Sequence, residues 1–146
     1  DMLKNVSEYA EKKGMNLAIE ALQKDESLLA NSVIELSELV QEVNCPSLNI
    51  CLDTGAMVKA GNSIQDYFDY FGKKVVHSHF VDVDDSVTHL ALGDGNCDIK
   101  SEIKHLNQNN YAGYLSVEVA EKRYFKNPVL ADKKSFQVYQ KATGKG

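Results

Sequence analysis

The stretch Cys45-Pro-Ser-Leu48-Asn-Ile-Cys-Leu-Asp53-Thr-Gly55 carries the decisive local pattern. Before it, Leu29, Val33, Leu36, Leu39, Val40 and Val43 recur at helical spacing over Leu28 to Val43, and Pro46 cannot continue that helix. Leu48 to Asp53 is then a short apolar run ending on an acid, which reads as a buried strand. A glycine-flanked loop leads from it to a helix near Ser63 to Phe71, with Ile64, Tyr67 and Phe68 on one face and Gly72 at its end.

The same alternation repeats in both directions. Upstream, a helix over Met2 to Lys13 places Leu3, Val6 and Tyr9 on one face and stops at Gly14, followed by a short strand, Asn16 to Glu20, and a polar loop, Gln23 to Glu26. Downstream, Val75 to Val81 is a third strand, and the long acidic segment Asp82 to Gly95 reads as loop outside the core. Ile99 to Asn107 is helical, Asn109-Asn110 turns, and Tyr114 to Val119 is the fourth strand. Pro128 precedes a final helix, Val129 to Lys141, and Thr143 to Gly146 reads as a frayed tail.

Consecutive strands joined by helices pair in parallel with right-handed crossovers, so the chain is α/β, either an open doubly wound sheet or an arc of a βα barrel. A (β/α)8 barrel takes about 250 residues. Four βα units in 146 residues amount to half of one. The expectation is therefore a single unit over residues 1–146, half of a TIM barrel whose other half is absent, with an open flavodoxin-like sheet as the competing reading.

With 43% hydrophobic and 25% charged residues the chain has a globular profile, and no apolar run is long enough to span a membrane. The N-terminus lacks the apolar stretch of a signal peptide. A net charge of −5 without a basic cluster removes the electrostatic basis for nucleic-acid binding. Cys45, Cys51 and Cys97 form no C-x-x-C pair, so reduced thiols in a cytoplasmic protein are expected, Cys51 as a small buried hydrophobe.

Each strand ends on or near a residue able to bind a metal: Glu20, Asp53, His79 and Glu118. A single such residue is more commonly a helix cap or a solvated loop residue; four at four strand ends, where barrel sites gather, are a pattern. Three carboxylates and one imidazole suit Mn²⁺, with Mg²⁺ or Co²⁺ as alternatives, better than a thiolate zinc site. His77 and His79 share a strand face, with His79 the ligand and His77 a deeper, hydrogen-bonded group. His105 reads as solvated, and His89 as a substrate contact or an exposed loop residue. Gly93-Asp-Gly95 lacks the Lys-Ser/Thr of a phosphate loop, Asp53-Thr-Gly lacks the Lys-Thr of a phospho-acceptor, and no G-x-S-x-G elbow occurs.

Ala18-Ile-Glu20, Cys51-Leu-Asp53, Val76-His-Ser-His79 and Ser116-Val-Glu118 resemble, in order, the four metal-ligand strands of the xylose-isomerase-like TIM-barrel superfamily, in its D-tagatose and D-psicose 3-epimerase branch. Val76 to Asp82, Thr88-His89, Leu92-Gly-Asp-Gly95, Arg123-Tyr124 and Asn127-Pro128 look closest to fructoselysine 3-epimerase-like members. The resemblance implies the C-terminal half of the barrel, a sugar or sugar-phosphate isomerase or epimerase, and Glu20 and Glu118 as acid and base as well as ligands. It also implies Glu26 as a substrate contact, to which the loop position of His89 adds a second candidate. Ketose 3-epimerisation is the leading expectation. Aldose–ketose isomerisation at the same site and a noncatalytic half-barrel module are alternatives, and an endonuclease IV-like activity is the distant one. Where tagatose-type members carry a histidine after the aspartate, Ala56 stands, and Asp85 stands where they carry an arginine. The missing N-terminal half, or self-association into a homo-oligomer, is expected to cover the open strand edges.

Overall fold

The computed structural model describes residues 1–144. Four strands, β1 (Leu17–Glu20), β2 (Leu48–Asp53), β3 (Val75–His79) and β4 (Tyr114–Ser116), form one parallel sheet in sequential order. A leading helix, α1 (Met2–Lys12), precedes them, and α2 (Val33–Val43), α3 (Thr54–Lys59), α4 (Ile64–Phe71), α5 (Ile99–Gln108) and α6 (Pro128–Thr143) connect or follow them. No helix among the described residues is long and apolar enough to cross a membrane.

Sequential order decides between the two architectures. A doubly wound sheet reverses its strand order and covers both faces with helices. Here Leu48, Ile50 and Leu52 of β2 pack under Leu36 and Val40 of α2, Ile64 and Tyr67 of α4, and Ile103 and Leu106 of α5. Each fully buried aliphatic side chain in that layer contributes about 1.5 to 3 kcal/mol. The opposite face is partly bare, with Ala18 exposed, Asn49 and His77 half-buried, and Tyr114 82% exposed. That is the inner wall of half a barrel.

The pairing of β2 with β3 contains a register shift: Ile50 opposes Val75, but Cys51 opposes His77 and Asp53 opposes His79. Val76 is the additional residue, and this bulge turns both histidines to the inner face. Gly113 follows the bulge closely, since a Cβ there would lie 2.2 Å from the Val76 carbonyl oxygen.

Several local expectations are corrected. Helix α2 starts at Val33, not Leu28, because the Ser32 hydroxyl caps it by accepting the Glu35 N–H, while Leu28 and Leu29 lie exposed in the preceding loop. Asn31 Nδ2 anchors that loop by donating to the carbonyls of Leu22, Gln23 and Ser27. Helix α1 buries Ser7 and Ala10 and leaves Val6 and Tyr9 exposed, because Ser47 Oγ donates to the Ser7 carbonyl and only small residues allow so close an approach. Residues 54–59, expected as loop, form α3. Strands β3 and β4 end early, at His79 and Ser116, and Thr143 belongs to α6; of the expected frayed tail, residues 145 and 146 lie outside the described residues.

The segment 82–97 is irregular, as expected, yet it belongs to the core: Val83, Leu90, Ala91 and Leu92 are buried. Asp82, itself buried, explains how. Its Oδ1 accepts the N–H groups of Val83 and Cys97, and its Oδ2 those of Gly93 and Gly95. A Cβ on Gly95 would lie 2.4 Å from Asp82 Oδ1. Leu92 N–H donates to the buried Ser135 hydroxyl of α6, which fastens the loop to the helical layer.

Asp82→Ala leaves four N–H groups without their acceptor, and urea unfolding should show a loss of more than about 3 kcal/mol. A smaller loss would mean that water replaces the carboxylate. On α5, burial and the charges of Asp82 and Asp98 raise the Glu102 carboxyl from its ordinary value of 4.5 to about 7. Between those values the folded chain holds a proton that the unfolded chain has released. This contribution to stability is full below the unfolded pKa and is lost as pH rises through about 7. Glu102→Gln should flatten the decline of Tm across that window and raise Tm at pH values above it; an unchanged profile counts against the assignment.

Candidate metal centre

Alternation along β1 and β2, together with the bulge at Val76 in β3, delivers Glu20, Asp53 and His79, each the last residue of its strand, to one end of the sheet. Glu118 reaches the same place from two residues beyond β4. His79 is the hub. Its Nδ1 lies 2.9 Å from Glu20 Oε2, 2.9 Å from Glu118 Oε2 and 3.7 Å from Asp53 Oδ2. Donor atoms of Asp53, His79 and Glu118 all fall within 4.8 Å of one another.

Asp53, 3% exposed, uses its two oxygens differently. Oδ1 accepts the Ala56 N–H at 2.6 Å and so starts α3, whereas Oδ2 is buried without a hydrogen-bond partner. His79 Nδ1 is likewise buried and makes no hydrogen bond, since neither glutamate oxygen lies along its N–H direction. Burial, together with the charges of Asp53 and Glu118, raises the Glu20 carboxyl above its ordinary value, against the lowering effect of His79. Two orphaned donor atoms amid three carboxylates fit a divalent cation, which would satisfy both and offset the crowded negative charge.

His89 enters from the 82–97 segment with its backbone in the left-handed region (φ 56°). Its Nε2 lies 3.6 Å from Asp53 Oδ2 and 3.7 Å from Glu118 Oε2, and the attraction of the Asp53 carboxylate, helped by Glu118, raises its pKa above the ordinary value. Thr88 Oγ1 sits 2.8 Å from His89 Nδ1 and accepts from Gln23 Nε2 at 3.0 Å. Sequence reading missed this Gln23–Thr88 relay; the adjacency of Thr88 and His89 was its only visible trace.

Glu26 stays exposed on the rim, where its carboxylate accepts the Gln23 N–H, although its charge is felt at His89. His77 is held by a 3.0 Å contact between its Nε2 and Ser116 Oγ, Cys51 is buried, and His105 is half-buried on α5, away from the centre. Asp85 is exposed. A concavity of about 800 Å³ between α5 and α6 contains none of these residues.

A family model described as xylose isomerase-like TIM barrel matches residues 1–141. Fructoselysine 3-epimerase of Escherichia coli O157:H7 is 29% identical over 139 residues, which cover 94% of this chain and 50% of that protein. The chain thus spans about half the length of the curated relatives it matches. Among solved structures, a D-allulose 3-epimerase from Methylomonas sp. superposes with a TM-score of 0.76 at 22% identity, over 99% of this chain and 53% of that one. The IOLI protein, solved with a zinc atom, gives 0.78 at 22% identity, over 98% and 54%. In strand order, in its half-covered sheet and in this family match, the chain belongs to the xylose isomerase-like TIM-barrel family, of whose barrel it forms half.

Proposed function

We propose that the protein carrying this chain is a divalent-metal-dependent sugar epimerase acting by proton transfer next to a ketose carbonyl, with carbon 3 the centre inverted. The observation that carries the reading is the convergence of Glu20, Asp53 and Glu118 on His79, with Asp53 Oδ2 and His79 Nδ1 left without hydrogen bonds. The similarity to fructoselysine 3-epimerase and to D-allulose 3-epimerase supports the choice of substrate class.

Glu20, Asp53, His79 and Glu118 would hold the ion, Mn²⁺ fitting the oxygen-rich set best. When bound, the ion polarises the substrate carbonyl and offsets the charge of the developing enediolate. Glu20 and Glu118 come from the two outer strands and approach His79 from opposite sides, so each carboxyl serves one face of the sugar. One removes the carbon-bound proton and the other returns a proton to the far face. Asp53 cannot share this task readily, because Oδ1 is committed to the start of α3. His89, held by Thr88, is placed to orient a sugar hydroxyl over the centre, and Glu26 on the rim contacts the distal part of the substrate.

The exposed edges of β1 and β4 belong to the same reading: a further half-barrel, supplied by an N-terminal segment or by a second copy, completes the wall of the pocket. Cys45, Cys51 and Cys97 are all free, in keeping with a reducing cytoplasmic setting.

Mn²⁺ titration by calorimetry should find one ion per site, and His79→Ala should weaken it by more than the roughly 100-fold that loss of a supporting group costs. Equal affinity in the variant would remove His79 from the ligand set. In the complete protein, Glu118→Gln should slow exchange of the carbon-bound proton of a ketohexose with D₂O by about 10² to 10⁴, followed by NMR. Unchanged exchange would sink the acid–base role, and a product that is an aldose rather than the C3 epimer would redirect the reading to isomerisation.

A further inference from the structure

One residue layer beneath Asp53, and level with Glu20 across β1 and β2, a second set of donors converges on the inner face of the sheet. Cys51, His77 and His79 each offer one ligand atom, and the three lie within 4.8 Å of one another. The strand register accounts for this: Cys51 and His77 are direct partners across β2 and β3, and His79 follows two residues later on the same face. The His77 and His79 rings stand edge to face with centroids 5.5 Å apart. Their chemistry differs from that of the upper set, in which oxygen dominates. A thiol and two imidazoles form a soft to borderline donor set that favours Zn²⁺, Cd²⁺ or Cu⁺ over Mn²⁺ or Mg²⁺.

We infer that Cys51, His77 and His79 form a second cation site, for a thiophilic metal ion, distinct in ligand chemistry from the carboxylate centre above it. The geometry is near that of a three-ligand site with an open fourth position. A tetrahedral ion with bonds of about 2.0 to 2.3 Å separates its donors by roughly 3.3 to 3.7 Å, so small side-chain movements suffice. Ser116 Oγ, 3.0 Å from His77 Nε2, fixes that ring in the way metal-bound imidazoles are commonly held. The thiol itself is buried and sits in a strand interior, which removes it from exchange with other thiols. On binding, the S–H bond of Cys51 breaks, its proton leaves to solvent, and the sulfur lone pair forms the bond to the metal, with no change of oxidation state. Both sites call on His79, so a thiophilic ion in the lower site competes with the upper centre for that ring.

Cadmium alone is the probe, since thiolate-to-cadmium charge transfer gives an ultraviolet band that carboxylate and imidazole ligands do not. Added to the protein, Cd²⁺ should produce this band. Cys51→Ser should abolish it, whereas a Cys45→Ser/Cys97→Ser double variant, which keeps Cys51, should retain it. His77→Ala should weaken the apparent affinity by more than about 100-fold. Asp53→Asn removes an upper ligand only and should leave the band in place, which separates this site from the carboxylate centre. A band that survives in Cys51→Ser, disappears in the double variant, is undiminished in His77→Ala or is lost in Asp53→Asn overturns the inference.

Discussion

The bulge at Val76 determines which way β3 presents its side chains, and the chemistry of this chain depends on it. Without the bulge a regular register would set Val76 against Cys51 and turn His77 and His79 into the helical layer, where Leu52 and Ile50 already fill the space. With it, His79 meets Asp53 at the sheet end and His77 meets Cys51 one layer below. The close approach of Gly113 to the Val76 carbonyl couples the bulge to the start of β4, and so to the path that leads to Glu118. A local backbone irregularity thus brings the two imidazoles of β3 to the face that carries Cys51 and Asp53 of β2.

Asp53 illustrates how fold and site share atoms. One oxygen begins a helix and the other faces the cluster of donors, so the rotamer that would serve a bound ion is held by a backbone hydrogen bond. Thr54 reinforces the arrangement, its hydroxyl donating to the Val81 carbonyl and accepting the Val81 N–H. On the β2 side these side-chain bonds take over from the ladder after His79, while Phe80 N–H still donates to the Ser116 carbonyl, and the chain then returns with His89 above the centre.

Much of this was legible from residue order, and the reasons are local. The bounds of β2 could be read because an apolar run lies between Pro46 and an acid, and α4 because Ile64, Tyr67 and Phe68 share one face ahead of Gly72. Parallel βα alternation, together with length, indicated half a barrel. The strand-end positions of Glu20 and Asp53 could be read because an acid closes each short apolar run, whereas the place of His79 at the end of β3 rests on the bulge at Val76, which leaves no mark in the sequence. What escaped depended on distant partners. Helix α3 has no apolar period and owes its start to the Asp53 side chain. The buried face of α1 is set by Ser47 across the chain, so the larger residues Val6 and Tyr9 lost to Ser7 and Ala10. An acidic, glycine-rich segment hid its core role because one of its acids, Asp82, satisfies the backbone of the others from within.

That last arrangement has a dynamic consequence. Four amide protons, those of Val83, Gly93, Gly95 and Cys97, terminate on a single carboxylate, so none of them is released while the others hold. Their exchange with solvent is therefore governed by one shared opening event rather than by four independent fluctuations. His89 lies between the first and second of these anchors, so the segment that holds its imidazole 3.6 Å from Asp53 Oδ2 is fastened at both ends to that carboxylate. Access to the centre is thereby linked to the opening equilibrium of a loop whose stability resides in one buried acid.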